Sequence, residues 1–161
     1  MKKFDYYIFI DYSEGLIGYM IIENNKISEL ITKISKFAHY RRIKHRNQYI
    51  QSIKKRIKKE NMFSCIFKVK IRKLKDNLEI YSDILDFLKK NDNCLIFISV
   101  DNKQYISFKK IIDVIDVKNI KIVQESALKK DSKEYQISLV IDTLLNIERL
   151  KAKGKGVRQT Y

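Results

Sequence analysis

The sequence has 161 residues, 45% of them hydrophobic, which is enough for one domain with a sizeable core. Proline is absent and glycine occurs 4 times, which excludes collagen-like, polyproline and flexible-linker proteins. No apolar run approaches the roughly 18 residues of a membrane span, so we expect that no segment spans a membrane. Cys65 and Cys94 lie in apolar runs typical of core strands. We therefore expect no disulfide framework and a cytoplasmic location.

The net charge of +15 comes from one segment of the sequence. Between Lys33 and Lys75 there are 16 basic residues and one acid, Glu60, whereas the rest of the chain has 18 basic and 18 acidic residues. A block of this kind attracts polyanions, of which nucleic acid is the commonest. The alternatives are an anionic membrane surface and a lysine-rich composition without functional meaning.

The first predicted elements are a β-hairpin and two helices. Residues 5–11 and 16–22 have the composition of strands and are separated by a turn. Apolar residues then recur at helical spacing over 27–38. A narrow apolar stripe over 50–57, surrounded by lysine and arginine, predicts a helix that lies on the surface.

Strands and helices then alternate to the end of the chain. The predicted strands are 63–71, 94–100 and 120–123, and the predicted helices are 78–88, 105–115 and 135–147. This order predicts an α/β fold with a mixed sheet of about five strands and helices on both faces. We expect a single domain over 1–150, with a basic helical arm at about 33–60, followed by a flexible basic tail over 151–161.

Three aspartates stand where ligands often bind in such folds. Asp11 follows the apolar run of the first strand, Asp101 follows the predicted central strand, and Asp142 interrupts the apolar part of the last helix. The carboxyl ends of strands form the ligand-binding edge of open α/β sheets. Asp11 also suits a turn, Asp101 a helix cap, and Asp142 a solvent-facing position.

Carboxylates that meet at one edge repel each other unless a cation compensates their charge. Mg²⁺ and Mn²⁺ are the ions that such oxygen ligands hold, and a pair of them can promote phosphodiester cleavage. Glu14 and Glu125 are further candidate ligands. The candidate nucleic-acid contacts are Arg41, Arg42, Lys44, Arg46, Lys54, Lys55, Lys58, Lys59, Lys68 and Lys70.

The sequence resembles the ribonuclease H-like superfamily of nucleases, resolvases and integrases. The resemblance begins with the opening strand and its aspartate, Ile8-Phe-Ile-Asp-Tyr-Ser-Glu-Gly15. It looks more specifically like an uncharacterised branch often encoded in mobile elements. The residues that match the motifs of that branch are the helical region from Ile27, Lys68 or Lys70, Leu78 to Tyr81, Val100-Asp101, and Leu139-Val-Ile-Asp-Thr-Leu144.

The resemblance implies a ribonuclease H-like fold and a metal-dependent nuclease, with Asp11, Asp101 and Asp142 as catalytic and metal-binding residues. The basic arm would then hold the phosphate backbone by charge rather than by base recognition. The first alternative is a nucleic-acid-binding protein whose site is degenerate. The second is an interaction domain whose basic arm binds an acidic partner or anionic lipid.

Overall fold

The computed structural model describes the backbone of residues 3–99, 102–115 and 119–159, and the side chains of these residues except 102, 104 and 154–159. The strands are β1 (Tyr6–Ser13), β2 (Leu16–Glu23), β3 (Lys68–Lys73), β4 (Cys94–Ser99) and β5 (Ile120–Gln124). The helices are α1 (Ile27–Lys33), α2 (Arg46–Lys59), α3 (Asn77–Lys90), α4 (Asn102–Val114) and α5 (Lys133–Gln159). Among these helices, none combines the length and the apolar character needed to cross a membrane.

The strands form one mixed sheet in the order β3-β2-β1-β4-β5. β1, β2 and β3 are antiparallel neighbours, whereas β4 pairs parallel with β1, and β5 pairs parallel with β4. The predicted α/β fold with a mixed sheet of about five strands and an opening hairpin is therefore confirmed.

A two-residue turn fixes the register of the opening hairpin. Glu14 and Gly15 have φ values of 31° and 82°, the positive values that match the right-handed twist of a hairpin. Ser13 pairs with Leu16, and Asp11 consequently pairs with Gly18. On the other side of β1, Asp11 lies beside Ser99, the last residue of β4.

Helices cover both faces of the sheet, as the sequence predicts. Phe9 and Met20 point to the face covered by α1, α2 and α5. Ile8, Ile10 and Tyr19 point to the opposite face, covered by α3 and α4. Because side chains alternate along a strand, Asp11 faces the same side as Phe9 and therefore faces α5.

The predicted helix over 27–38 ends earlier, at Lys33. The amide of Gln136 in α5 donates hydrogen bonds to the carbonyl oxygens of Ile34 and Phe37, at 2.8 and 3.3 Å. The hydroxyl of Tyr49 bonds the backbone of Ala38. These tertiary bonds satisfy backbone groups that a longer helix would have used, so the predicted arm over 33–60 contains one α-helix, α2.

Two other boundaries differ from the prediction. The predicted strand over 63–71 begins only at Lys68, because residues 62–65 form a 3₁₀ turn that buries Met62 and Cys65. At the other end of the chain, α5 continues through Gln159. The segment from residue 151 onward, which the sequence predicts to be a flexible tail, is therefore helical through Gln159.

Gly18 permits α5 to approach the sheet closely. A Cβ atom at this position would lie 3.0 Å from Cγ1 of Ile71, 3.2 Å from Cδ2 of Leu145 and 3.3 Å from Cδ1 of Ile141. Such distances are tighter than ordinary packing contacts. Since Gly18 pairs with Asp11, the close approach occurs directly beside that aspartate.

A Gly18→Val substitution is expected to lower the free energy of unfolding by about 1–3 kcal/mol, because it overpacks the contact between α5 and the sheet. Urea denaturation followed by circular dichroism measures the loss. Gly18→Ala serves as the graded control and should cost less. A valine variant as stable as the wild type would show that α5 can move away from the sheet freely.

Candidate metal centre

Asp11 and Asp142 line one cavity near the carboxyl ends of β1 and β4. This cavity, called the carboxylate cavity below, has a volume of about 380 Å³. β1 contributes Asp11, α5 contributes Asp142, and the 3₁₀ turn after β5 contributes Glu125. Two aspartates predicted from the sequence are thus brought together with both further candidate ligands, because Glu14 of the hairpin turn also lines the cavity.

Asp11 is the buried carboxylate of the group, with 7% of its surface exposed. One of its oxygens accepts a hydrogen bond of 2.8 Å from the backbone N–H of Tyr12, and the hydroxyl of Ser99 also bonds it. Burial raises the pKa of Asp11 well above its usual value, and the nearby charges of Glu125 and Asp142 raise it further. The Ser99 bond and the Arg41 guanidinium oppose this rise.

Asp142 is half-buried and held by the chain that precedes α2. Its Oδ2 atom accepts a 3.2 Å hydrogen bond from the backbone N–H of Tyr40. Its own carbonyl oxygen accepts a 2.8 Å bond from the amide of Asn146, one turn further along α5. The carboxylate is therefore fixed at the cavity wall rather than turned to solvent.

The structure places the other predicted metal ligands less favourably. Glu14 lies in the exposed hairpin turn, where Nη1 of Arg149 is 3.1 Å and Nζ of Lys153 is 3.9 Å from its Oε2 atom. Asp101 lies outside the described residues. Within residues 3–99, 102–115 and 119–159, no group of three or more His, Cys, Asp or Glu side chains has metal-binding separations.

Three arginines form a second wall of the carboxylate cavity. This arginine wall consists of Arg41, Arg46 and Arg149. The guanidinium groups of Arg46 and Arg149 lie 5.1 and 5.4 Å from the ring centroid of Tyr40, which is buried, so the ring positions both cations. Four carboxylates and three guanidinium groups consequently share one small volume.

Ser99, Asn146 and Arg149 also line this cavity, and none of them is a candidate from the sequence. Asp142, Asn146 and Arg149 follow each other at helical spacing on one side of α5, and Arg149 donates to the side-chain oxygen of Asn146 at 2.9 Å. This spacing in the sequence indicates that the three side chains share one side of a helix. The sequence contains no comparable indication for Ser99, because its position beside Asp11 depends on the parallel pairing of β4 with β1.

The predicted nucleic-acid contacts divide among different surfaces. Arg41 and Arg46 line the carboxylate cavity, and Arg42, Lys44, Lys55 and Lys59 are exposed. Lys68 and Lys70 instead point to the α3 face of the sheet, opposite to Asp11. There Nζ of Lys70 lies 2.7 Å from both Asp83 and Glu79, and these two bonds raise the pKa of Lys70.

The chain is similar to solved protein structures but not to known protein families or curated sequences. No protein-family model matches the chain, and no curated protein sequence matches it. Among solved structures, the chain is similar to Bst-RNase HIII in complex with Mn²⁺, with a TM-score of 0.47 and 10% identity. The alignment covers 92% of this chain and 55% of that one, so the chain spans about half the length of its neighbour.

We expect Asp11→Asn to stabilise the fold at neutral and alkaline pH in the presence of a chelator. In the unfolded chain Asp11 ionises near its usual pKa of about 3.9, whereas in the folded protein its pKa is raised. The raised value contributes stability that is complete below pH ~4 and is lost as the pH rises through the folded pKa. The free energy of unfolding of the wild type should therefore fall increasingly below that of the variant as the pH increases.

Thermal unfolding at a series of pH values measures this difference. Asp86→Asn, at an exposed position of α3, is the matched control and should run parallel to wild type. A gap between Asp11→Asn and wild type that does not widen between pH 4 and pH 8 would contradict the assignment of a strained buried carboxylate.

Proposed function

We propose that this chain is a metal-dependent nuclease of ribonuclease H-like type that hydrolyses phosphodiesters of nucleic acid with Mg²⁺ or Mn²⁺. The observation that supports the proposal is the carboxylate cavity. A strand-end aspartate and an aspartate of the last helix, far apart in the sequence, meet there with Glu125 and face an arginine wall. Burial and the nearby charges of Glu125 and Asp142 raise the pKa of Asp11, and a divalent cation would compensate the charge of the ionised carboxylates.

The proposed ligands are the oxygen donors that hard divalent ions prefer. Asp11, Asp142 and Glu125 would hold the ion, and Asp101 and Glu14 are proposed as additional ligands. Such an ion, when bound, polarises a phosphoryl oxygen and lowers the pKa of a bound water. Glu14 would have to leave its ion pair with Arg149 to take part.

The arginine wall would bind the phosphate group that is to be cleaved. Guanidinium groups offer paired donors that match phosphate oxygens. Arg46 and Arg149 flank Tyr40, so they are already held beside the carboxylates before substrate arrives. Exposed cations near this wall, from Arg42 and Lys44 to Lys55 and Lys59 of α2, would extend the contact along the phosphate backbone.

We expect the purified protein to cleave labelled nucleic acid in the presence of Mg²⁺ or Mn²⁺ and to stop when EDTA is added. Asp11→Asn and Asp142→Asn should each reduce the rate by about a hundredfold or more, since even indirect partners of metal ligands typically cost 10–100-fold. The substrates are single- and double-stranded DNA and RNA, an RNA–DNA hybrid and branched DNA. Product formation on denaturing gels is the readout.

The control for this experiment is Asp86→Asn, which removes an exposed carboxylate of α3 and should retain full activity. Circular dichroism checks that each variant is folded. Equal cleavage by wild type and Asp11→Asn, or no cleavage of any substrate by wild type, would refute the nuclease proposal.

A nucleic-acid-binding protein without catalysis is the second candidate. Two observations favour it: Glu14 is paired with Arg149, and the described residues hold no cluster of three potential metal ligands. Binding would then rest on the arginine wall and the exposed cations alone, and no divalent ion would be required.

Both candidates predict binding that weakens steeply with salt. Replacing Arg41, Arg42, Lys44 and Lys55 together with glutamine should reduce the slope of log affinity against log salt by about 1 for each lost phosphate contact. Fluorescence anisotropy with a labelled oligonucleotide measures the slope. The salt concentration is varied from about 50 to about 300 mM, where counterion release changes the affinity strongly.

The matched control carries the same charge change on other helices. Lys89, Lys90, Lys109 and Lys110 are exposed residues of α3 and α4, on the opposite face of the sheet, and glutamine at these four positions should leave the slope nearly unchanged. If both quadruple variants lose the same affinity, total charge rather than this surface governs binding.

A further inference from the structure

A larger groove lies on the side of α5 away from the carboxylate cavity. It has a volume of about 1170 Å³ and runs between the C-terminal half of α2, the middle of α5 and β3. Leu144, Ile147 and Lys151 face this groove, whereas Asp142 and Arg149 face the carboxylate cavity. With about 100° between successive residues of a helix, the two sets lie on nearly opposite sides of α5.

The backbone edge of β3 forms one wall of this edge groove. Five consecutive residues of β3, from Lys68 to Arg72, line it, whereas a strand face would contribute only alternate residues. β3 is the outermost strand and pairs with β2 on its inner side. No strand within the described part of the chain pairs with its outer side. Backbone donors and acceptors along this edge are therefore open to a further strand, except that the carbonyl oxygen of Ile71 accepts a 2.9 Å hydrogen bond from Nη1 of Arg72, which a bound strand would displace.

The floor of the edge groove is aliphatic. Ile57 comes from α2, Val69 and Ile71 from β3, and Leu144 and Ile147 from α5. Phe63 also lines the groove and has 49% of its surface exposed. An open strand edge above an apolar floor fits an extended peptide, because alternate side chains of such a peptide point to one side.

The rim of the edge groove is basic. Lys54 and Lys58 of α2 stand along one side, and no described carboxylate forms an ion pair with either. Lys151 stands at α5, where its Nζ is 3.4 Å from Oε1 of Glu148, the one acidic residue that lines the groove among those described. A segment with acidic side chains would be attracted by the positive field of these lysines.

We propose that the edge groove binds an extended acidic segment of a partner protein, which adds to the sheet as a strand beside β3. The backbone of the segment pairs with the outer edge of residues 68–72. Its alternate apolar side chains rest on the aliphatic floor, and its negative charge lies in the positive field of Lys54 and Lys58. The site is independent of the nuclease chemistry proposed for the carboxylate cavity.

The charges of the chain and the aliphatic floor of the edge groove disfavour two other occupants, a second copy of the chain and nucleic acid. A second copy of the chain would add its own β3, which contains no acidic residue to match the charge of Lys54 and Lys58. Nucleic acid has no peptide groups to pair with a strand edge, and it binds single-stranded sites by stacking on aromatic rings. Phe63 is the one aromatic side chain of the described groove lining.

The test uses a fluorescein-labelled synthetic peptide of about ten residues in which glutamate alternates with valine. Anisotropy should show saturable binding, and hydrogen exchange at the amides of 68–72 should slow by about tenfold or more. Two N-methylated peptides serve as internal controls, one methylated at the valines and one at the glutamates. Because alternate N–H groups of a strand point to opposite sides, one methylated peptide should lose binding and the other should keep it.

Two charge-reversal pairs on the same helix separate the edge groove from general attraction. Lys54→Glu with Lys58→Glu should weaken peptide binding by about tenfold or more, and Lys55→Glu with Lys59→Glu, on the exposed face of α2, by less than about threefold. A labelled oligonucleotide should respond in the reverse order. Cleavage assays with the same proteins keep this result distinct from the fate of the nuclease proposal.

Several outcomes would overturn the strand-addition proposal. These are no saturable binding of the peptide, equal binding of both methylated peptides, or equal losses in the two charge-reversal pairs. An oligonucleotide that displaces the peptide and slows exchange at 68–72 would assign the groove to nucleic acid instead. Concentration-dependent slowing of the same amides in the protein alone, together with a dimer in ultracentrifugation, would assign it to a second copy.

Discussion

The close packing of the last helix against the first hairpin is the constraint on which the carboxylate cavity depends. Ile141 and Leu145 contact the sheet where Gly18 leaves room for them, and Gly18 is the partner of Asp11 in the hairpin. Asp142 follows Ile141 directly and is therefore turned toward the end of β1. On its outer side α5 is held by Thr143, which is buried and bonded to Tyr49. Apolar packing thus holds Asp11 and Asp142 close together in the carboxylate cavity, although their negative charges repel each other.

That repulsion is only partly compensated by the arginine wall. Arg149 directs its hydrogen bonds to Asn146 and Glu14, and Arg46 donates to the carbonyl oxygen of Arg41. Asp11 itself receives neutral donors, the N–H of Tyr12 and the hydroxyl of Ser99. A buried carboxylate with neutral donors and two acidic neighbours is costly in a structural role. Local conflict of this kind is expected at functional sites, where a bound cation or substrate supplies the missing charge.

The sequence predicted the elements whose pattern is local and missed what depends on distant contacts. Strand composition and helical spacing were sufficient for the hairpin, the central strand and the later helices, and the strand-end position of Asp11 was readable in the same way. The end of α1 was not, because Gln136, about a hundred residues later, takes the carbonyl groups that would have continued the helix. Lys68 and Lys70 belong to the basic block between Lys33 and Lys75 in the sequence, whereas strand alternation turns them to the face opposite Asp11.

The basic block is one feature in the sequence but several in the structure. Arg41 and Arg46 face the carboxylate cavity, Lys54 and Lys58 face the edge groove, and Lys70 is paired with acids of α3. α2 reaches from one opening to the other, because it begins at Arg46 and passes over α5 to the edge groove. A net charge counted along the chain therefore does not define one binding surface. The helix α5 separates two surfaces, with the arginine wall beside carboxylates on one side and the lysine rim above aliphatic side chains on the other.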